Sequence, residues 1–183
     1  MPYFLPAPFA GQIFDLGHLE PVVIKTESAK LNREIVTSCR FTTHVWSRVP
    51  TEGDEGPFIK DEGGRDRIFC PDRYKLSFHL AAVMGNLANP NLKVWQTAAE
   101  RNWLHRAEVT LDLDGEATPY EIFFAVKRSH HRDPHDIDMI VESAYAFDPA
   151  REPKVLGRMS IVGVLTATLS GNKPHTQKGG RKR

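Results

Sequence analysis

The chain has 183 residues and a net charge of +1, with 40% hydrophobic and 26% charged residues. That balance excludes a disordered or fibrous chain and fits one globular domain. No apolar run reaches the ~18 residues a membrane helix needs, and two cysteines, Cys39 and Cys70, are too few for a disulfide framework.

The N-terminal M-P-Y-F-L-P-A-P-F-A-G lacks the basic leader of a signal peptide, so a cytoplasmic location with reduced thiols and no membrane association is expected. Phe4, Phe9, Ile13, Phe14 and Leu16 predict an irregular segment laid against the domain, since exposing so many apolar side chains is unfavourable. Residues 21–26 are β-branched, and residues 33–48 alternate, with Ile35, Thr37, Cys39, Phe41, Thr43 and Val45 opposite Val36, His44 and Trp46. Together they predict an N-terminal β-hairpin. Residues 50–67 are dense in Gly, Asp and Glu and read as a long polar loop. Its oxygens suit calcium or magnesium, but the spacing matches no EF-hand, and a solvated excursion is the simpler reading.

A helix is predicted next. Pro71 and Asp72 suit its first turn, Leu76, Leu80, Val83, Met84 and Leu87 form a stripe, and Gly85, Asn86 and Asn89-Pro90 end it. His79 lies off that stripe. Strands are expected over 92–97 and 103–112, with a helix as the rival over 92–106. Asp114-Gly115 marks a hairpin turn.

Two amphipathic strands follow. In Y-E-I-F-F-A-V-K-R-S, Tyr120, Ile122, Phe124 and Val126 share a face; in I-D-M-I-V-E-S-A-Y-A-F, Ile137, Met139, Val141, Ser143, Tyr145 and Phe147 do. The turn H-H-R-D-P-H-D joins them. Residues 159–169, apolar on both faces, are expected to form the most interior strand. The fold class is therefore α+β: an antiparallel β-meander of four or more strands packed on one main helix, with an N-terminal β-hairpin. One domain spans residues 1–170 and a disordered basic tail spans 171–183.

That tail holds Lys173, Lys178, Arg181, Lys182 and Arg183 and no acid, which leaves residues 1–170 at −4. It is suited to gripping RNA or DNA phosphates, or to keeping the chain soluble. Zinc could use Cys39, His44, Cys70 and His79, but a regular strand points Cys39 and His44 to opposite faces, and buried structural cysteines are the simpler reading. The turn residues His130, His131, His135, Asp133 and Asp136 could bind a transition metal or act as acid and base. No spacing there sets two histidines on one rigid face, so a solvated turn is expected, with no metal and no cofactor.

The polar side of the central strands offers a third set. Metal-free RNA cleavage needs a base, a cation at the phosphate and an acid for the leaving oxygen. Glu142 or a histidine could be the base, Lys127 or Arg128 the cation, and Tyr145 or His44 the acid, with Glu121 and Arg106 nearby. Cross-strand charge pairs that merely stabilise an open sheet explain the same residues.

Over residues 70–170, a helix and meander with F-F-A-V-K-R-S answered by I-V-E-S-A-Y resembles the phage-type barnase/RelE-like ribonucleases, whose closing strands often end in a small residue followed by Ala-Tyr. The resemblance implies RNA as substrate, although the closing strand here carries no histidine. The segment R-I-F-C-P-D-R-Y-K-L-S resembles uncharacterised bacterial proteins found on mobile elements. The expected function is a small nucleic-acid-binding or protein-interaction module of a bacterial mobile element. The alternative is a metal-independent ribonuclease of toxin type with a sheet-borne active site, and a third reading is a structural subunit of a larger assembly.

Overall fold

The computed structural model describes residues 2–86, 89, 93–97, 105–149 and 155–172. In chain order the strands are β1 (Ala7–Phe9), β2 (Gln12–Phe14), β3 (Val22–Ser28), β4 (Arg33–Phe41), β5 (Ser47–Arg48), β6 (Phe58–Lys60), β7 (Asp66–Phe69), β8 (Lys93–Thr97), β9 (His105–Leu113), β10 (Glu116–Arg128), β11 (Ile137–Ala146) and β12 (Val155–Ser160). Helices α1 (Pro71–Ser77) and α2 (Leu80–Asn86) follow β7, and α3 (Ile161–Leu169) follows β12. The architecture is α+β.

The main sheet has seven strands in the order β12-β8-β9-β10-β11-β4-β3. Its centre, β8 to β11, is the antiparallel meander read from the alternation. Asp114 and Gly115 both take positive φ, 56° and 86°, at the hairpin between β9 and β10, as an Asp-Gly turn requires. The N-terminal hairpin β3–β4 also forms, but joins this sheet through a parallel pairing of β4 with β11, from Ile137↔Thr37 to Val141↔Phe41. Period-two patterning reports which face is buried and carries no information on which strand lies alongside.

One buried face of the sheet gathers Ile35, Cys39 and Phe41 of β4, Ile137, Met139 and Val141 of β11, and Tyr120, Ile122 and Phe124 of β10. Helix α3 touches β10 in the middle of the sheet and both edge strands, β3 and β12. β12 runs directly into α3, and at the other edge Ser28 of β3 closes a buried 2.9 Å hydrogen bond to Thr166 of α3.

The last apolar run is thus a helix and not an interior strand. Only residues 155–160 extend, at the sheet edge. Ser160 then caps the helix by accepting from the Gly163 N–H at 3.1 Å, and Ile161, Val164 and Leu165 face inward at helical spacing. Gly171, at φ 69°, ends it. The cap and the i, i+3, i+4 spacing were both present in a run read as continuously apolar.

The expected single helix is also replaced by two short ones broken at Phe78 and His79. Ser77 turns its hydroxyl back to the Tyr74 carbonyl at 2.7 Å, and His18 takes hold of the end of α1 and of the break itself. Its Nε2 meets Ser77 Oγ at 2.7 Å and its ring stacks on Phe78 at 3.8 Å. Such side-chain-to-backbone bonding competes with continuous helix.

The stretch read as a polar loop carries β6 and the start of β7, part of a three-stranded sheet ordered β5-β7-β6. Its strands are two to four residues long, too short for alternation to register, and carboxylates organise its turns. Asp54 accepts both guanidinium nitrogens of Arg48, at 2.6 and 2.7 Å. The N-terminal segment forms a small hairpin, β1–β2, whose Phe9 and Phe14 pack on Phe69. Residues 173–183 of the basic tail, Leu92 and Trp103 lie outside the described residues. Among those described, no helix is long and apolar enough to cross a membrane.

Candidate functional site

A cleft of about 300 Å³ opens where β4 ends beside β11, lined by Arg40, His44, Glu62, Arg65, Glu142 and Tyr3 among others. Its floor is set by a bulge. Phe123 pairs with Ser143 but Phe124 pairs with Val141, so Glu142 is an extra residue on β11 with no partner on β10. A bulge re-aims the side chains beyond it. Val141 is buried, as its alternation requires, but the next buried residue is Ala144. The parity read over Ser143 and Tyr145 is thereby reversed. The carbonyl of Glu142 is held by Thr42 Oγ1 at 2.8 Å, which locks the bulge to the end of β4.

His44 stands on a 3-10 turn, Thr43–Val45, directly after β4 and is held at three points. Thr42 Oγ1 accepts its N–H at 3.3 Å, Arg73 donates to its carbonyl at 2.7 Å, and its Nε2 meets Asp61 Oδ2 at 3.0 Å. Asp61 is itself saturated. It accepts from the Gly63 and Arg65 N–H groups at 2.9 Å each and from Arg65 Nε at 2.8 Å. Burial alone would raise the Asp61 carboxyl, yet these bonds together hold it well below the usual carboxylate range. His44 Nδ1 has no hydrogen-bond partner among the described residues, so one nitrogen of this cleft-lining ring is anchored and the other is not.

Glu142 has the opposite environment. Half-buried, it is raised by burial, lowered by His44, raised by Glu62 and lowered by Arg40, and the net effect is upward. Glu62 is fixed by the N–H and hydroxyl of Thr43, at 2.7 and 3.0 Å. The Arg40 side chain makes no ion pair or hydrogen bond among the described residues and sits exposed at the rim. The lining sets Arg40 and Arg65 beside Glu62 and Glu142, with the Asp61 carboxylate paired to Arg65 directly behind it. The cleft offers an anchored imidazole, a carboxyl with raised proton affinity and two guanidiniums, the elements of acid–base chemistry on an anion.

Of the residues singled out from the sequence, the structure brings together His44 and Glu142. Lys127 lies farther along the sheet, paired with Asp138 at 3.7 Å, and its exposed neighbour Arg128 borders the histidine turn. Tyr145 stacks on Phe123 at 5.4 Å with the Arg73 guanidinium 5.1 Å over its ring. Arg106 and Glu121 do meet, at 3.0 Å, as a buried ion pair outside the cleft. Cys39 is buried, its thiol pushed up to about 12, and Cys70 precedes α1; both are free. Among the described residues, Cys39, His44, Cys70 and His79 do not converge at metal-binding distance. The nucleic-acid-binding candidates Lys173, Lys178, Arg181, Lys182 and Arg183 lie outside the described residues.

Sequence reasoning missed Arg40, Asp61, Arg65 and Tyr3. One local signal was available. Asp61-Glu62-Gly63-Gly64 is a turn pattern in which an aspartate accepts backbone N–H groups just ahead of it, and Asp61 does so here. That signal announces an ordered turn, but not that the same carboxylate reaches His44.

The family description that matches is the YjaZ family, over residues 6–169, and this chain belongs to that family. Searches of curated proteins and of solved structures find no match.

Proposed function

We propose that this protein is a metal-independent acid–base enzyme acting on a phosphodiester that carries a neighbouring hydroxyl, which is the chemistry of RNA. The observation that carries the reading is the pairing of an Asp61-anchored His44 with a half-buried Glu142 of raised proton affinity in one cleft. His44 Nδ1 takes the proton of the 2′-hydroxyl, and Asp61 holds the ring in place against the charge that develops. The 2′-oxygen bonds to phosphorus as the bond to the 5′-oxygen breaks. Glu142 gives its proton to that leaving oxygen, and the products are a 2′,3′-cyclic phosphate and a free 5′-hydroxyl. Arg40 and Arg65 face the phosphoryl oxygens. A bound phosphate also favours protonated Glu142, so substrate and acid support each other.

The test uses the full chain with RNA in the presence of a chelator. Cleavage to cyclic phosphate ends is expected, reduced about 10²- to 10⁴-fold by Glu142→Gln or His44→Gln. The rate should fall on the alkaline side as Glu142 loses its proton above the ordinary carboxylate range. Absence of cleavage, or activity that survives both substitutions, overturns the reading. If His44 is only a staple for the 61–65 turn, His44→Gln will lower Tm with no activity to lose.

The second reading is a nucleic-acid-binding or interaction module, in a mobile-element setting, and the charge asymmetry of the sequence supports it. Lys173, Lys178, Arg181, Lys182 and Arg183 put five positive charges on the last 13 residues. Removing residues 173–183 should then weaken RNA or DNA association and remove a salt dependence of up to about −4.5 in log–log slope, without turnover at any stage.

A further inference from the structure

The turn between β10 and β11 brings a different set of groups together. One ligand atom each from Asp133, His135 and Asp138 lies within 4.8 Å of the others, beside a cleft of about 370 Å³ that Asp133 and His135 line with His130 and His131. We propose that Asp133, His135 and Asp138 bind a divalent transition cation of the zinc type, with a water or His130 completing the shell. This inference is independent of the acid–base reading of the other cleft.

The donor set selects the ion. One imidazole nitrogen and two carboxylate oxygens suit zinc and its neighbours, whereas calcium and magnesium prefer oxygen alone. Two negative charges and a neutral ring balance a dication. The spacing is also close to that of a filled shell. Two ligands of a tetrahedral zinc, each about 2.0–2.1 Å from the ion, stand roughly 3.4 Å apart. His135 Nε2 and Asp138 Oδ1 already lie 3.0 Å apart, joined by a single proton that the cation would displace. Closing the third side asks the exposed Asp133, whose Oδ2 accepts the His130 N–H at 2.9 Å, to turn its other oxygen inward.

The two half-buried ligands are positioned before any ion arrives. Asp138 belongs to β11, paired with Lys127 of β10. His135 is fixed through its neighbour. The Asp136 carboxylate takes both guanidinium nitrogens of Arg33 at 2.9 Å and the Val36 N–H at 2.9 Å, while the Asp136 N–H donates to the Val36 carbonyl at 2.8 Å. The turn is thus bolted to β4. Asp136 is fully engaged by those partners and is not a ligand. Lys127 Nζ stands 3.7 Å from Asp138 Oδ2, the oxygen turned away from His135, and competes as a cation without blocking the site.

The experiment is titration of the untagged full chain with Zn²⁺ by calorimetry and with Co²⁺ by visible absorption. Saturable uptake of one ion per chain is expected, with d–d bands of a mixed nitrogen–oxygen shell and an affinity that falls on acidification. His135→Asn and Asp138→Asn should each weaken binding at least about tenfold. Lys127→Met should strengthen it, a change that a general loss of folding cannot produce. Failure to take up either ion overturns the proposal. So does uptake that survives His135→Asn but disappears in a His130→Ala, His131→Ala double variant. Circular dichroism of each variant separates loss of the site from loss of the fold.

Discussion

Two imidazole–carboxylate pairs in this molecule have the same length, 3.0 Å, and opposite surroundings: His44 with Asp61, and His135 with Asp138. The Asp61 side chain is fully buried and its oxygens accept four protons, two from the backbone, so no lone pair is left for a cation. Asp138 is part-exposed and shares its oxygens with one imidazole and one distant ammonium. The difference teaches that a short His–Asp contact does not define a role. The donors behind the carboxylate do. A saturated aspartate can orient a ring and cannot leave it; an unsaturated one is a ligand awaiting a charge.

The sharpest way to break the comparison is to remove the two carboxylates in turn. Asp61→Ala takes the shared acceptor away from the Gly63 and Arg65 N–H groups and from the imidazole of His44, donors on exposed or part-exposed residues that converge on one buried carboxylate. Each hydrogen bond lost costs about 0.5–1.5 kcal/mol in general, and a fall of roughly 5–10 °C in Tm is expected for the set, measured by calorimetry near neutral pH. A loss no larger than that of an ordinary surface variant would mean that water replaces these bonds and that Asp61 is not an anchor.

A third histidine serves as the control that has no carboxylate at all. His105 is buried against Phe124, at 5.6 Å between rings, and neither ring nitrogen has a hydrogen-bond partner among the described residues. Burial pushes it down from 6.5 to about 4. Between those values the unfolded chain takes up a proton that the folded chain refuses, so stability falls as pH drops through this window. The loss is at most about 3 kcal/mol, and it is complete near pH 4. Chemical denaturation at several pH values should show that slope in the wild type and its disappearance in His105→Phe.

What could be read from the amino acids follows the same division between local and assembled features. The meander from β9 to β11 was legible because alternation and an Asp-Gly turn are written into consecutive residues. Helix α3 was legible in principle, through Ser160 and the spacing of Ile161, Val164 and Leu165, but a wholly apolar run satisfies two periods at once. The parallel seam between β4 and β11 was not legible, since nothing in either strand names its neighbour. The candidate cleft depends on that seam. His44 and Glu142 stood out as chemistry-bearing residues, yet the one-residue bulge that presents Glu142, and the reach of Asp61 across 17 positions to His44, arise only when the chain closes. Lys127 was grouped with Glu142 because alternation puts both on one face of the sheet, but Lys127 meets Asp138, near the other end of β11 from Glu142.

The smallest expected effect completes the comparison. Asp138→Asn keeps the volume and one acceptor, and the pairs it weakens lie at a part-exposed sheet end where solvent screens them. In the absence of metal its stability should stay within about 0.5 kcal/mol of wild type. If the turn binds a transition cation, the same conservative change should reduce the rise in Tm that zinc gives the wild type, since a ligand that binds only the folded state raises stability by mass action. A large loss without metal would instead make Asp138 a second structural anchor, and the contrast with Asp61 would collapse. The informative quantity is therefore the difference between the two conditions, because a carboxylate that stabilises by itself and one that stabilises only through a bound cation are separated by nothing else that the geometry of a single His–Asp contact reveals.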